Sequence, residues 1–209
     1  MTLSNDDKIL AEEQSNAQKE HASFLEPAIK KICADVKIYL QDIDAFSVIN
    51  GPGSYTGLRV GLSSAKALCY ALNKPLILLN TLDVMAYALK LKSKNEEENV
   101  LFCPLIDARR QEVFTALYDH NLNILKNYSS EILDEHFLEA ERASKKIILG
   151  GSGSMKLQKI VADDNIIYIN ALSLSEATMI ISNKAYAAKD FSPVAYSEPF
   201  YLKPVYFRK

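Results

Sequence analysis

The stretch Gly51-Pro52-Gly53-Ser54-Tyr55-Thr56-Gly57-Leu58-Arg59-Val60-Gly61 holds four of the seven glycines of a 209-residue chain. Glycine concentrates where the backbone takes positive φ or where another group must come close. Ahead of it, residues 45–50 form a short apolar run that reads as a buried strand entering a tight loop. Behind it, Leu58, Leu62, Leu68 and Leu72 recur at helical spacing, and the helix predicted over about 56–72 is stopped by Asn73, Lys74 and Pro75. Strand, glycine turn and helix in that order form the unit from which α/β proteins are built.

Such a turn gathers backbone N–H groups at a helix N-terminus, a geometry that cradles phosphate. The segment lacks both the Lys-Ser/Thr of a P-loop and the spacing of a dinucleotide fingerprint. A rigid turn capped by Ser54 or Thr56 accounts for the same residues equally well. The other three glycines, Gly150, Gly151 and Gly153, repeat the situation between a strand predicted at 146–149 and a helix predicted at 154–161. Gly57, Gly61 and Ser64 also align along one side of the second helix, where small side chains let another helix approach closely. That face packs either on the chain's own sheet or on a partner helix.

Working outward, residues 2–4 and 8–13 flank Asn5-Asp6-Asp7 as two strands around a turn. Leu25, Ile29, Ile32 and Val36 mark an amphipathic helix over about 19–36. A strand is predicted at 76–80 and a helix at 82–91, followed by a charged connector at 92–99 that divides the chain into an expected first lobe, 1–92, and a second, 99–209. Three successive strands follow at 100–106, 112–119 and 124–128, reading as an antiparallel meander. Helices at 134–142 and 173–188 and a strand at 166–169 complete the second lobe, and the proline-containing tail from Phe191 reads as extended.

Composition excludes several functional classes. Hydrophobic residues make up 48% and charged residues 24%, so a chain of this length buries about 70% of its unfolded surface and folds without staples. A net charge of -2 offers no general attraction for a polyanion. Cys33, Cys69 and Cys103 show no CxxC spacing and read as buried thiols. No apolar stretch approaches the roughly 18 residues that span a bilayer, and a cytoplasmic location is expected. Catalytic constellations are thin: His21, His120 and His136 are far apart, no metal-binding histidine pair occurs, and no Gly-x-Ser-x-Gly elbow activates a serine. The cluster Asp107-Ala108-Arg109-Arg110-Gln111-Glu112 places two carboxylates and two guanidiniums at a strand-to-strand junction, which fits a binding site and, better, solvated ion pairs at a hairpin.

The motif at 51–61 resembles the signature of the TsaB (YeaZ) family. Glu20-His21, Asn73-Lys74-Pro75-Leu76, Asp107 to Arg110 with Glu112-Val113, and Tyr201-Leu202 extend the similarity over most of the chain. The resemblance implies an α/β chain of the actin-like ATPase (ASKHA, ribonuclease H-like) fold with two related lobes. It implies a non-catalytic subunit that pairs with TsaD and the ATPase TsaE to place on tRNA, beside the anticodon, the threonylcarbamoyl group made by TsaC. Association through the first two helices, with TsaD or as a homodimer, assigns partner binding to His21, Phe24, Gly57, Gly61, Ser64 and Leu68. The motif loop comprises Gly51, Pro52, Gly53, Ser54, Thr56 and Arg59, and Gly150, Gly151 and Gly153 form a candidate nucleotide loop. Catalytic relatives hold a metal through His-x3-His, of which only His21 has a counterpart here, so neither a metal nor a catalytic residue is expected. No cofactor is assigned to this chain; ATP is used by the complex, and tRNA is met only through it. The competing reading is an actin-like ATPase or peptidase acting on its own. One departure stands out: the strand that opens this family has no counterpart before Thr2, so the first lobe is expected to lack about one strand of 5 or 6 residues and to carry an exposed edge.

Overall fold

Asp6, at φ 47°, turns the chain between β1 (Thr2–Asn5) and β2 (Lys8–Glu12), closing an antiparallel hairpin. This computed structural model describes residues 1–15, 21–95 and 97–203, and of His21 and Ala22 the backbone only. Residues 19 and 20, where the sequence places the start of the first helix and part of the family resemblance, lie outside the described residues. The helix itself, α1, runs His21–Val36 and buries Ala28 and Ile32.

β3 (Phe46–Gly51) leads into α2 (Tyr55–Leu72), and β4 (Leu76–Asn80) pairs parallel with β3. Ser54 is the cap of α2: its Oγ accepts from Gly57 N at 3.3 Å, which satisfies one of the orphan donors of the first turn. At the other end Asn73 adopts φ 53° and donates its N–H to Cys69 O. The buried stripe of α2 is Leu58, Leu62, Ala65 and Cys69, and each buried leucine contributes about 2 kcal/mol by leaving water. Leu68 and Leu72 flank that stripe half-buried.

α3 (Thr81–Ser93) precedes β5 (Val100–Asp107), β6 (Glu112–Tyr118) and β7 (Ile124–Ile132), the expected meander. β7 runs four residues beyond its predicted end because Ser129, Ser130 and Glu131 keep their register with β6 despite their polar, loop-like composition. A single turn, α4 (Glu139–Arg142), is all that forms of the helix predicted at 134–142, since the Asp134 carboxylate accepts from His136 N and holds a turn instead. β8 (Lys146–Gly150), α5 (Ser154–Gln158), β9 (Ile166–Ile169) and α6 (Ser175–Ala187) follow.

Two compact units result: Met1–Thr81 with Ser175–Phe200, and Leu82–Leu174 with Tyr201–Lys209. They differ from a division at the connector. α3 buries Leu82, Ala86 and Leu89 beside Val100, Phe102 and Ile148 in the second unit, while α6 packs on β4 and β1 in the first. The second unit is built on a five-stranded sheet of order β7-β6-β5-β8-β9. β5, at its centre, is buried on both faces: Leu101, Cys103 and Leu105 join one cluster, Val100 and Phe102 the other. In the latter, Tyr118 and Tyr128 both donate to the Asp83 carboxylate, Tyr118 at 2.6 Å; burial first, then this carboxylate, pushes both phenols up. In the first unit two separate two-stranded sheets, β1-β2 and β3-β4, take the place of one larger sheet. The first unit has the order hairpin, helix, strand, helix, strand in β1-β2-α1-β3-α2-β4, and the second has it in β6-β7-α4-β8-α5-β9.

Candidate functional site

The motif loop is held from behind by the tail of its own unit. Gly51 sits at φ 128°, and a side chain there would run into Phe200 O and stand 3.2 Å from Leu58 Cδ1. Phe200 N donates to Asn50 O at 2.8 Å, and Lys66, on α2, donates its Nζ to Ala195 O and Ser197 O at 3.1 and 3.0 Å. The extended tail is thereby strapped onto α2 and the loop, and the loop's inner side is filled by protein.

The outer side of α2 is open. Thr56, Arg59, Ser63, Ala67 and Tyr70 are exposed, Tyr70 to 86%, and the Arg59 guanidinium lies 4.2 Å from the centre of the Tyr55 ring. Of the residues that the family resemblance assigns to partner binding, Phe24, Gly57, Gly61, Ser64 and Leu68 are half-buried, and a Cβ on Gly61 would meet Val48 of β3 at 3.6 Å. The side chain of His21 lies outside the described residues, and its backbone opens α1, which packs against α2. Gly61 of the small-residue stripe thus lies against the unit's own sheet, and the fully exposed stripe runs beside it. Tyr70 escaped the sequence reading because one aromatic at the end of a helix carries no motif; its position between buried Cys69 and exposed Ala71 on the α2 wheel is the signal that finds it.

The second glycine loop is closed by its own unit as well. Gly151, at φ 106°, would place a Cβ 2.5 Å from Leu105 O and against the Met85 methyl, and Gly153 would place one 2.7 Å from Val113 Cγ1. Gly153 N donates to Leu105 O at 2.9 Å, so the loop lies directly on the end of β5. Ser152 Oγ accepts from Asp107 N at 3.0 Å, and Lys156 donates to Asp107 Oδ1 at 2.6 Å and to Glu112 O at 3.0 Å. The structure therefore brings the glycine loop together with the Asp107–Glu112 turn, where Arg109 and Arg110 are exposed at φ 72° and 48°. Lys203 pairs with Glu112 at the same place. Ser152, Lys156 and Lys203 stand far from the turn in sequence, which is why spacing alone did not join them to it. Among the described residues, no three His, Cys, Asp or Glu side chains gather where they would hold one metal ion, and no helix is long and apolar enough to cross a membrane.

The family described as TsaD, tRNA N6-adenosine threonylcarbamoyltransferase, matches residues 8–201. The tRNA threonylcarbamoyladenosine biosynthesis protein TsaB of Bacillus subtilis is 29% identical over 77% of this chain and 69% of that protein. The protein of the same description from Buchnera aphidicola subsp. Schizaphis graminum is 27% identical over 91% of this chain and 85% of its own length. The chain belongs to the TsaB (YeaZ) family. A solved structure from Pseudomonas aeruginosa, described as an uncharacterized protein with similarity to peptidase YEAZ, superposes with a TM-score of 0.78 at 19% identity and covers 93% of this chain and 92% of that one. That likeness bears on the fold alone, and the fold is the actin-like α/β type of the TsaB (YeaZ) family.

In this TsaB (YeaZ) chain the Asp107 clamp carries a pH dependence. The Lys156 ammonium, then Arg109 N, hold the Asp107 carboxyl below the ordinary value of about 3.9, against a smaller upward push from burial. A carboxyl depressed on folding stabilises the native state above its unfolded pKa and ceases to do so as pH falls through its folded one. Asp107→Asn is therefore expected to lower the urea midpoint by a constant amount above about pH 5 and by a shrinking amount below about pH 4. A pH-independent difference between the two proteins would remove the ion pair as its cause. The side chain is 42% exposed, so solvent screening keeps the effect small.

Proposed function

We propose that the chain takes part in the biosynthesis of threonylcarbamoyladenosine on tRNA, as a non-catalytic subunit that binds and activates TsaD. The observation that carries the reading is the similarity to proteins described as TsaB over as much as 91% of the chain. The site geometry supports it. Both glycine loops are filled from behind by the chain's own atoms, Phe200 and Leu58 in one case and Met85 and Leu105 in the other. That leaves them fitted to hold a rigid frame and favours a chain that binds no nucleotide itself, with ATP used by the complex.

The partner surface in this reading is the outward side of α2, with α1 packed beside it. Tyr70, bearing a large ring at 86% exposure, suits an anchor that becomes buried on association. The same side serves for TsaD or for a second copy of the chain, and TsaE and tRNA join through the assembled complex.

The test is size-exclusion chromatography and calorimetry of the purified chain with TsaD, with and without ATP and magnesium. A stable complex is expected, together with flat calorimetry for nucleotide on the chain alone. Tyr70→Glu is expected to weaken the complex about 30-fold, the scale of losing one anchor worth about 2 kcal/mol, while leaving the melting temperature unchanged. Absence of a complex under every nucleotide condition would sink the proposal, and an unchanged affinity for Tyr70→Glu would move the interface off α2.

A further inference from the structure

The turn between β5 and β6 holds two neighbouring arginines at its tip. Ala108 N donates to Glu112 O at 3.1 Å, Glu112 N to Arg109 O at 3.0 Å, and Arg109 N to the Asp107 carboxylate at 2.6 Å, so the turn is closed by its own groups without help from either guanidinium. Arg109 and Arg110 both take positive φ, where glycine or asparagine would be under less strain, and both side chains are exposed. The strands on either side fix where that tip stands, because Asp107 pairs with Val113 and Ile106 with Phe114 in the β5-β6 ladder.

The acids of the turn are already taken by lysines. Asp107 accepts from Lys156 Nζ at 2.6 Å, and Lys156 is held a second time by Glu112 O at 3.0 Å. Glu112 pairs with Lys203. Among the described residues neither Arg109 nor Arg110 makes an ion pair. Four cations thus stand against two carboxylates, and the surplus of two positive charges lies on the two exposed side chains rather than on the half-buried lysines. Glu131, opposite Val113 on β7, marks one rung inward as the limit of this positive surface. On a chain whose net charge is -2, such a surplus acts only at short range: it holds an anion that has arrived by other means and does not draw one from solution.

We infer that the Arg109-Arg110 turn grips phosphate groups of the tRNA backbone when the tRNA is held by the assembled complex. The planar guanidinium fork matches two phosphate oxygens at once, and two forks side by side fit neighbouring phosphates of one strand. Contacts of this kind carry no base preference; they fix the register and orientation of the RNA. The inference rests on the reading that the chain serves tRNA modification, and goes beyond it by giving this chain its own contact with the RNA.

The experiment is tRNA binding by fluorescence anisotropy over about 50 to 200 mM salt with the complex of the chain and TsaD, and again with the chain alone at about 10 mM salt, where charges act over about 30 Å. Replacing both residues by glutamine, Arg109→Gln with Arg110→Gln, is expected to weaken binding about tenfold and to make the slope of log K against log salt shallower by about 1.5, for any tRNA sequence alike. Each single substitution is expected to give about half of that change in slope. Melting temperature and association with TsaD are expected to stay as in wild type, and the corresponding lysine pair is expected to restore the slope, since it keeps the charge and loses only the fork. Equal affinity and slope for wild type and the glutamine pair would overturn the inference. So would loss of TsaD association in the glutamine pair, which would place the arginines against the protein partner. Displacement of tRNA from the chain by millimolar ATP would overturn it too, by making free nucleotide the occupant. Size-exclusion chromatography shows separately whether TsaD binds at all: failure there strikes the proposed function, while the chain-alone comparison still decides between arginine and glutamine.

Discussion

Gly151→Ala is expected to lower the unfolding free energy by about 4 kcal/mol, out of the roughly 5–15 kcal/mol that a protein of this kind has in total. Two costs combine. The residue sits at φ 106°, where any side chain is strained by about 1–3 kcal/mol. Its Cβ would also stand 2.5 Å from Leu105 O, a backbone atom at the end of the central strand that cannot swing aside, and overpacking of this kind costs about 1–3 kcal/mol more. The Met85 methyl on the other side is the end of a flexible chain and gives way more easily. Denaturant unfolding at unchanged m reads the loss directly. A loss below about 1 kcal/mol would show that the loop relaxes away from β5, which would reopen it as a nucleotide cradle. Wild-type protein with millimolar ATP and magnesium separates the two readings again: a midpoint that rises marks a ligand, and one that stays marks a packed turn.

The sequence carried the order of elements in both units, because strands and helices of this fold announce themselves by period and by their stops. Asn73, Lys74 and Pro75 end α2 where expected, and the buried stripe of α2 begins with the predicted Leu58 and Leu62. What it did not carry is which helix serves which sheet. The run 82–91 is helical by pattern wherever it packs, and only the three-dimensional neighbours of Leu82, Ala86 and Leu89 place it in the second unit. The site divides in the same way. Glycines mark close approach but do not say to what; here the approaching groups are Phe200, Leu58, Leu105 and Met85, three of them distant in the chain from the glycine they touch. The small-residue stripe at Gly57, Gly61 and Ser64 was legible as a pattern but not what meets it, and the exposed stripe that ends in Tyr70 was not legible at all, since exposure is a property of neighbours rather than of spacing.

Gly51→Ala and Gly53→Ala, two positions apart in one motif, are expected to behave differently, and the contrast separates what the motif does for the fold from what it does for a partner. At Gly51 the φ of 128° and the approach of Phe200 O give a loss of about 3 kcal/mol, from backbone strain and from displacing the tail. With the tail lifted, Lys66 loses its hold on Ala195 O and Ser197 O, so limited proteolysis is expected to cut the variant within 193–200 while wild type resists. At Gly53 no positive φ is involved, and a Cβ would meet Leu58 Cδ2 at 3.8 Å, an ordinary contact, so stability is expected to change by less than about 0.5 kcal/mol. Gly53 is exposed at the mouth of the loop, beside the α2 N-terminus. If Gly53→Ala weakens binding to TsaD with its melting curve intact, the motif's outer half is part of the partner surface. If both variants lose binding only in proportion to stability, the motif is a hinge pin for α2 and the interface lies wholly on the helix.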